Sequence, residues 1–115
     1  MESKEAAKIV INAMEEKKAE DIRIIAIDEV SSIADYFIIA NGNNISQVHA
    51  IADFVEEKLG KSGMLPKQIE GYQNANWVLM DYGDVIIHIF DKENRLFYNL
   101  ERIWKDGKQI MIDDL

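Results

Sequence analysis

The sequence predicts an α/β protein (α+β mixed sheet), with about five strands in a mixed sheet flanked by three helices. Three observations carry that expectation. The hydrophobic period alternates between that of a helix and that of a strand, in the order α-β-β-α-β-β-β-α. Six glycines, at positions 42, 60, 63, 71, 83 and 107, punctuate segments of differing period. The turn Asp81-Tyr82-Gly83-Asp84 joins two strand-like runs and requires an antiparallel pair, while the strand–turn–helix–strand passage around Gly42 reads as a crossover.

The first helix spans about Lys4 to Lys18, because Ala6, Ile9, Val10, Ala13 and Met14 recur at the spacing of one helical face. Asp21–Asp28 and Asp35–Asn41 follow as short β-branched runs, apolar at nearly every position, as in strands covered on both faces. Val48, Ile51, Ala52, Val55 and Leu59 stripe the second helix, with Asn43, Asn44 or Ser46 as its N-cap. Gly60, just after Lys58, is expected to supply the left-handed residue that ends it. Lys67–Gly71 is a weak strand introduced by Pro66, the only proline. Asn76–Met80 and Val85–Phe90 form the hairpin, with Gly83 in the left-handed position of a type I turn with a G1 bulge. Leu96, Phe97, Leu100, Ile103 and Trp104 place a last helix over about Asn94–Lys105. Residues 1–105 therefore read as one domain, and 106–115 as an acidic tail that docks weakly or frays.

Composition narrows the function classes. The chain has 115 residues, no cysteine, 13 Lys+Arg and 21 Asp+Glu, for a formal charge of −8. The absence of cysteine excludes a disulfide framework, thiolate zinc sites and a cysteine nucleophile. A pI near 4.7 argues against a broad grip on nucleic-acid phosphates, which needs a basic surface. An apolar fraction of 48% is ample for a core, so the acidity does not signal disorder. Met1–Lys8 mixes both charge signs without an apolar signal core, and apolar runs such as Val85–Ile87 are far below the roughly 20 residues of a bilayer span. A soluble cytoplasmic protein with no membrane partner is the expectation.

No phosphate-loop, dinucleotide-binding, HExxH or GxSxG motif is present. His49 flanks the apolar stripe of the second helix and reads as a surface or partly packed histidine. His88 alternates with Ile86 and Phe90 on a strand and reads as a half-buried, hydrogen-bonded one. Asp28, Asp35, Asp81 and Asp84 stand at strand ends, where a divalent-metal-dependent nucleotidyltransferase would gather carboxylates. Yet Gly42 is followed by Asn43 rather than serine, no strand carries Asp-x-Asp, and each Asp has a turn role of its own. Trp77 is equally a core residue or an interface anchor on these grounds. Tyr82, at a hairpin tip, is expected to be exposed and available for contact. Arg95 and Tyr98 share a helical face, and Trp104 belongs to the apolar stripe of its helix.

Taken together, Glu70-Gly71, the run Trp77-Val78-Leu79-Met80-Asp81-Tyr82-Gly83-Asp84-Val85-Ile86-Ile87-His88, and Arg95-x-x-Tyr98-x-Leu100-Glu101-x-x-Trp104 resemble the ribosomal silencing factor family, also called RsfS or Iojap-like. Asp28, Ser32, Asp35 and the strand ending at Gly42 extend the resemblance over about residues 5–105. One stretch departs: where the family commonly has T-G-x-S-x-R-Q, this chain has Asn41-Gly42-Asn43-Asn44-Ile45-Ser46-Gln47.

The resemblance implies a nucleotidyltransferase-like fold without the catalytic metal site, and therefore no enzyme and no cofactor. It implies binding to the large ribosomal subunit through ribosomal protein fourteen, on the face that meets the small subunit, so that subunit joining is blocked when nutrients are scarce. It also implies a homodimer when free. On this reading Trp77, Leu79, Asp81, Tyr82, Asp84, Arg95 and Tyr98 form the partner-binding surface, with Glu70 and His88 supporting it from beneath. The net charge then acquires a use: carboxylates meet a basic protein patch, and repulsion from surrounding phosphates disfavours extensive contact with RNA.

Overall fold

The computed structural model describes residues 2–29, 32–97, 107–110 and 115, the side chains of 95–97 and 109 excepted. Helix α1 (Ser3–Glu16) leads into strands β1 (Glu20–Ala26) and β2 (Tyr36–Gly42), then helix α2 (Ile45–Lys61). Strands β3 (Gln68–Glu70), β4 (Trp77–Asp81) and β5 (Val85–Asp91) follow, then α3 (Lys92–Phe97) and β6 (Lys108–Ile110). One mixed sheet has the order β3-β4-β5-β2-β1-β6. β2 and β5 run parallel at its centre, with Tyr36 opposite Val85 and Gly42 opposite Asp91; every other pairing is antiparallel.

The expected mixed α/β sheet is what forms, and the five expected strands with their three helices are in place. The tail adds a short sixth strand: Ile24, Ile25 and Ala26 pair with Ile110, Gln109 and Lys108. The α3 helix is described only as far as Phe97, so the remainder of the expected Asn94–Lys105 helix, Tyr98 and Trp104 included, lies outside the described residues.

Strand alternation sorts the sheet into two faces. Ile24, Ile38, Ala40, Val78, Met80, Ile87 and Ile89 point toward α1 and α2, whose Val10, Ile11, Met14, Val48, Ile51, Val55 and Leu59 complete the larger core. At roughly 1.5–3 kcal/mol per buried large aliphatic side chain, this layer dominates the stability of the fold. The opposite face carries a smaller cluster of Ile25, Ile27, Ala34, Ile39, Ile86 and Phe90, with Phe37, Trp77 and Leu79 partly buried against it. β2 and β5 are thus covered on both faces, as their unbroken apolar runs require.

Two helix ends show how side chains set the frame. Asn44 is the N-cap of α2, its side chain accepting the Gln47 N–H at 2.8 Å. Gln47 in turn donates from Nε2 to the carbonyls of Lys17 and Lys18 (3.3 and 3.0 Å) and accepts the Asn43 N–H at 2.7 Å. One glutamine therefore ties the exit of α1 to the entrance of α2. The end of α2 corrects the expectation for Gly60: the helix continues through it to Lys61, and Gly63, with φ +86°, is the left-handed residue. The Gly60 carbonyl accepts the Gly63 N–H at 3.0 Å, and the Leu59 carbonyl accepts the N–H groups of Ser62 (3.0 Å) and Met64 (2.9 Å), so the last turn closes around Gly63.

Candidate docking surface

On the sheet face turned away from α1 and α2, the β4–β5 register places Trp77 opposite Phe90, Leu79 opposite His88 and Asp81 opposite Ile86. The β3–β4 register adds Glu70 opposite Leu79 and Gln68 opposite Asp81. Residues directly opposite each other in a ladder share a face. Trp77, Leu79, Asp81 and Glu70 therefore present one continuous surface near the β3 edge. Its middle is apolar and half-buried; its rim is acidic.

An aromatic cluster underlies Trp77. Its indole packs on Phe90 with centroids 5.3 Å apart and leans on the His88 ring at 5.8 Å, while Phe37 meets His88 edge-on at 5.2 Å. The Trp77 indole N–H also donates to His88 Nδ1 at 2.9 Å. His88 is only 4% exposed, and burial depresses its pKa to about 4, so near neutrality the ring is uncharged and able to accept that bond. With Nδ1 accepting, the ring proton sits on Nε2, which is buried without a hydrogen-bond partner among the described residues. His88 thus supports Trp77 from beneath geometrically, and it is more buried than its alternation with Ile86 and Phe90 predicts.

Two expectations change here. Tyr82 is corrected from a contact residue to a core residue: it is 6% exposed and belongs to the cluster under the helices. The turn folds its side chain back over the sheet, and burial pushes the hydroxyl up to about 12. Glu70 is corrected from a support beneath the surface to an exposed member of it, because β3 is the edge strand and Glu70 flanks Leu79. The side chains of Arg95 and Tyr98 fall outside the described residues.

The acidic turn is fixed by its own backbone. Asp81 Oδ1 accepts the Gly83 N–H at 2.8 Å, and Gly83 takes φ +88° as the hairpin signal predicts. The Asp84 carbonyl accepts N–H groups from Asp35 (2.8 Å) and Tyr36 (3.1 Å), pinning the hairpin tip to the start of β2. Asp84 itself is exposed, and Asp28 lies exposed beyond the end of β1. Among the described residues, no three His, Asp or Glu side chains gather as a metal-holding group, and no helix is long and apolar enough to cross a membrane.

Sequence reasoning passed over Phe37 and Phe90 as parts of this surface, and over Tyr72. The aromatic cluster depends on which strands neighbour β5, and the parallel β2–β5 pairing is not encoded in any local pattern. Tyr72 reads locally as one residue of a polar loop. In the structure its hydroxyl donates to Asp53 and its ring stacks on His49, both on α2.

Comparison with known proteins agrees with this architecture. The profile of a family described as "ribosomal silencing factor during starvation" matches residues 1–115. A protein of Bacillus subtilis named ribosomal silencing factor RsfS is 41% identical over 113 residues, covering 98% of this chain and 96% of its own length. A second protein of that name, from Halalkalibacterium halodurans, is 39% identical over 113 residues, covering 98% and 97%. Among solved structures, the crystal structure of a Chromobacterium violaceum protein superposes with a TM-score of 0.88 at 34% identity, covering 94% of this chain and 90% of that one.

Proposed function

This chain belongs to the ribosomal silencing factor family, and from that premise we propose that it represses translation by occupying the large ribosomal subunit through ribosomal protein fourteen. The bound factor excludes the small subunit sterically, so inhibition scales with occupancy and no chemical step is involved. The protein acts as a regulator under nutrient limitation, without a cofactor, and is a homodimer when free.

The observation that carries this reading is the surface around Trp77. A half-buried indole, held by a hydrogen bond and ring contacts beside Leu79, supplies the rigid aromatic anchor typical of binding hot spots. Glu70, Asp81 and Asp84 frame it with carboxylates suited to a basic protein patch. Arg95 and Tyr98 remain assigned to the same surface on the family resemblance. Tyr82 acts from the core side, shaping the turn between the two aspartates.

Sedimentation with purified subunits tests the reading. The protein is expected to travel with the large subunit and to reduce joined ribosomes. Trp77→Glu places a charge on the anchor and is expected to abolish co-sedimentation while circular dichroism stays native. A variant that still co-sediments like the wild type overturns the assignment of this surface.

A further inference from the structure

We propose that Tyr72 is a positioning residue for docking: it ties the Gly71–Asn76 loop to helix α2 and thereby holds Trp77 in its binding orientation. The role rests on the docking surface proposed above. Tyr72 is 38% exposed, so its ring does not fill the core. Instead it reaches across to His49 and Asp53, which stand four residues apart on one face of α2.

Two contacts make the tie. The Tyr72 hydroxyl donates to Asp53 Oδ1 at 2.8 Å, and that bond is the leading cause of its raised pKa. The Tyr72 ring stacks on His49 at 4.4 Å, and His49 Nε2 lies 2.6 Å from the Tyr72 carbonyl oxygen. A carbonyl can only accept, so His49 carries its proton on Nε2 and donates. Side chain and main chain of the same residue are thus both fastened to α2.

The rest of the loop transmits that constraint to Trp77. Ala75 is fully buried at φ +56°, and its N–H donates to the Gly71 carbonyl at 3.0 Å. Gly71 lies so close to Trp77 that an added Cβ would come within 2.1 Å of the Trp77 carbonyl oxygen. The Asn76 carbonyl accepts the Asp91 N–H at 3.3 Å, which closes the loop onto β5. Cutting the tie to α2 leaves Trp77 to be ordered at the moment of docking, and ordering on binding is lost affinity.

The test measures large-subunit binding beside the indole N–H resonance of Trp77, assigned by its loss in Trp77→Phe. Tyr72→Ala is expected to broaden or shift that resonance and to weaken binding by about tenfold, with a near-native melting temperature. Asp53→Ala is expected to act in the same direction. Asp53→Asn, which keeps an acceptor oxygen, is expected to restore both the resonance and the affinity. Tyr72→Ala binding within about twofold of wild type overturns the role, and so does lost affinity with an unchanged indole resonance, which marks Tyr72 as a direct contact. If Tyr72→Ala fails to fold, Asp53→Ala decides on the same criteria. Failure of the wild-type protein to bind overturns the docking surface itself and this role with it; variants that bind normally beside a binding wild type overturn this role alone.

Discussion

The Trp77 indole N–H donates to His88 Nδ1 across 2.9 Å, joining a half-buried aromatic ring to a buried one. The bond fixes the histidine tautomer and leaves the Nε2 proton buried without a partner among the described residues. An orphaned donor of this kind carries a desolvation cost of about 1–3 kcal/mol. The cost persists where the side chain proposed for docking is held, as unsatisfied groups at functional sites often do.

That arrangement makes stability fall as pH falls from about 6.5 toward 4. His88 has its pKa lowered from 6.5 to about 4 in the folded protein, so within this window the unfolded chain takes up a proton that the folded one refuses. The contribution is complete above the unfolded value and amounts to about 3 kcal/mol at most. His88→Phe removes the titrating group and the orphaned N–H together, leaving the half-buried indole N–H of Trp77 to water. Urea denaturation of wild type and variant across this range is expected to show a shallower pH slope in the variant, with stabilities at pH 7 within about 1 kcal/mol of each other. Equal slopes would mean that His88 is not the group responsible.

Tyr82→Phe separates a core role from a contact role. The Tyr82 hydroxyl is buried with no hydrogen-bond partner among the described residues, and its ring lies in the helical-side core. Deleting the hydroxyl removes an unsatisfied polar group while the packing ring stays, so the variant is expected to be as stable as wild type or more stable by about 1 kcal/mol. Binding to large subunits is expected to be unchanged. A substantial loss of binding with intact stability would return Tyr82 to the contact surface.

Much of this fold is legible in the sequence because its signals are local. The Asn44 cap, the Val48–Leu59 stripe and the Gly83 turn each depend on residues within a few positions of one another. Tyr82 shows where local reasoning fails. Hairpin tips are commonly solvated, but this tip is pinned to the start of β2 through the Asp84 carbonyl, so the tyrosine folds inward beneath α2. Glu70 fails for a related reason, since its exposure follows from β3 being the sheet edge, a matter of strand order. Trp77 could not be assigned as buried or exposed because it is partly each: its rings rest on Phe90 and His88 while part of it remains exposed.

Two left-handed glycines on this side of the sheet are expected to differ sharply when changed to alanine. Gly71 (φ +76°) would press its Cβ into the Trp77 backbone, whereas Gly83 (φ +88°) would meet only the Lys67 side chain, at 3.3 Å. The Lys67 chain can move aside, so Gly83→Ala costs chiefly the backbone conformation, about 1 kcal/mol. Gly71→Ala adds a main-chain clash and is expected to cost on the order of 3 kcal/mol. Denaturant midpoints measure both, and equal losses would contradict the close approach of Gly71 to β4.

Asp81 tests whether the acidity of the chain acts at the docking surface. Its carboxylate has a structural duty, accepting the Gly83 N–H, and on this reading it also faces a basic partner. Asp81→Asn keeps an oxygen for the turn and removes the charge; Asp81→Lys loses the turn bond and reverses the charge. If the charge matters for docking, Asn is expected to weaken binding modestly, through faster dissociation and a slower salt-sensitive association. Lys is expected to weaken it further. Raising salt is expected to weaken wild-type binding more steeply than that of Asp81→Asn, because one screened attraction is already gone. A net charge of −8 opposes any general attraction to ribosomal RNA, so the salt dependence reports contacts to protein. Binding that is indifferent to both salt and Asp81→Asn would leave Asp81 only its turn.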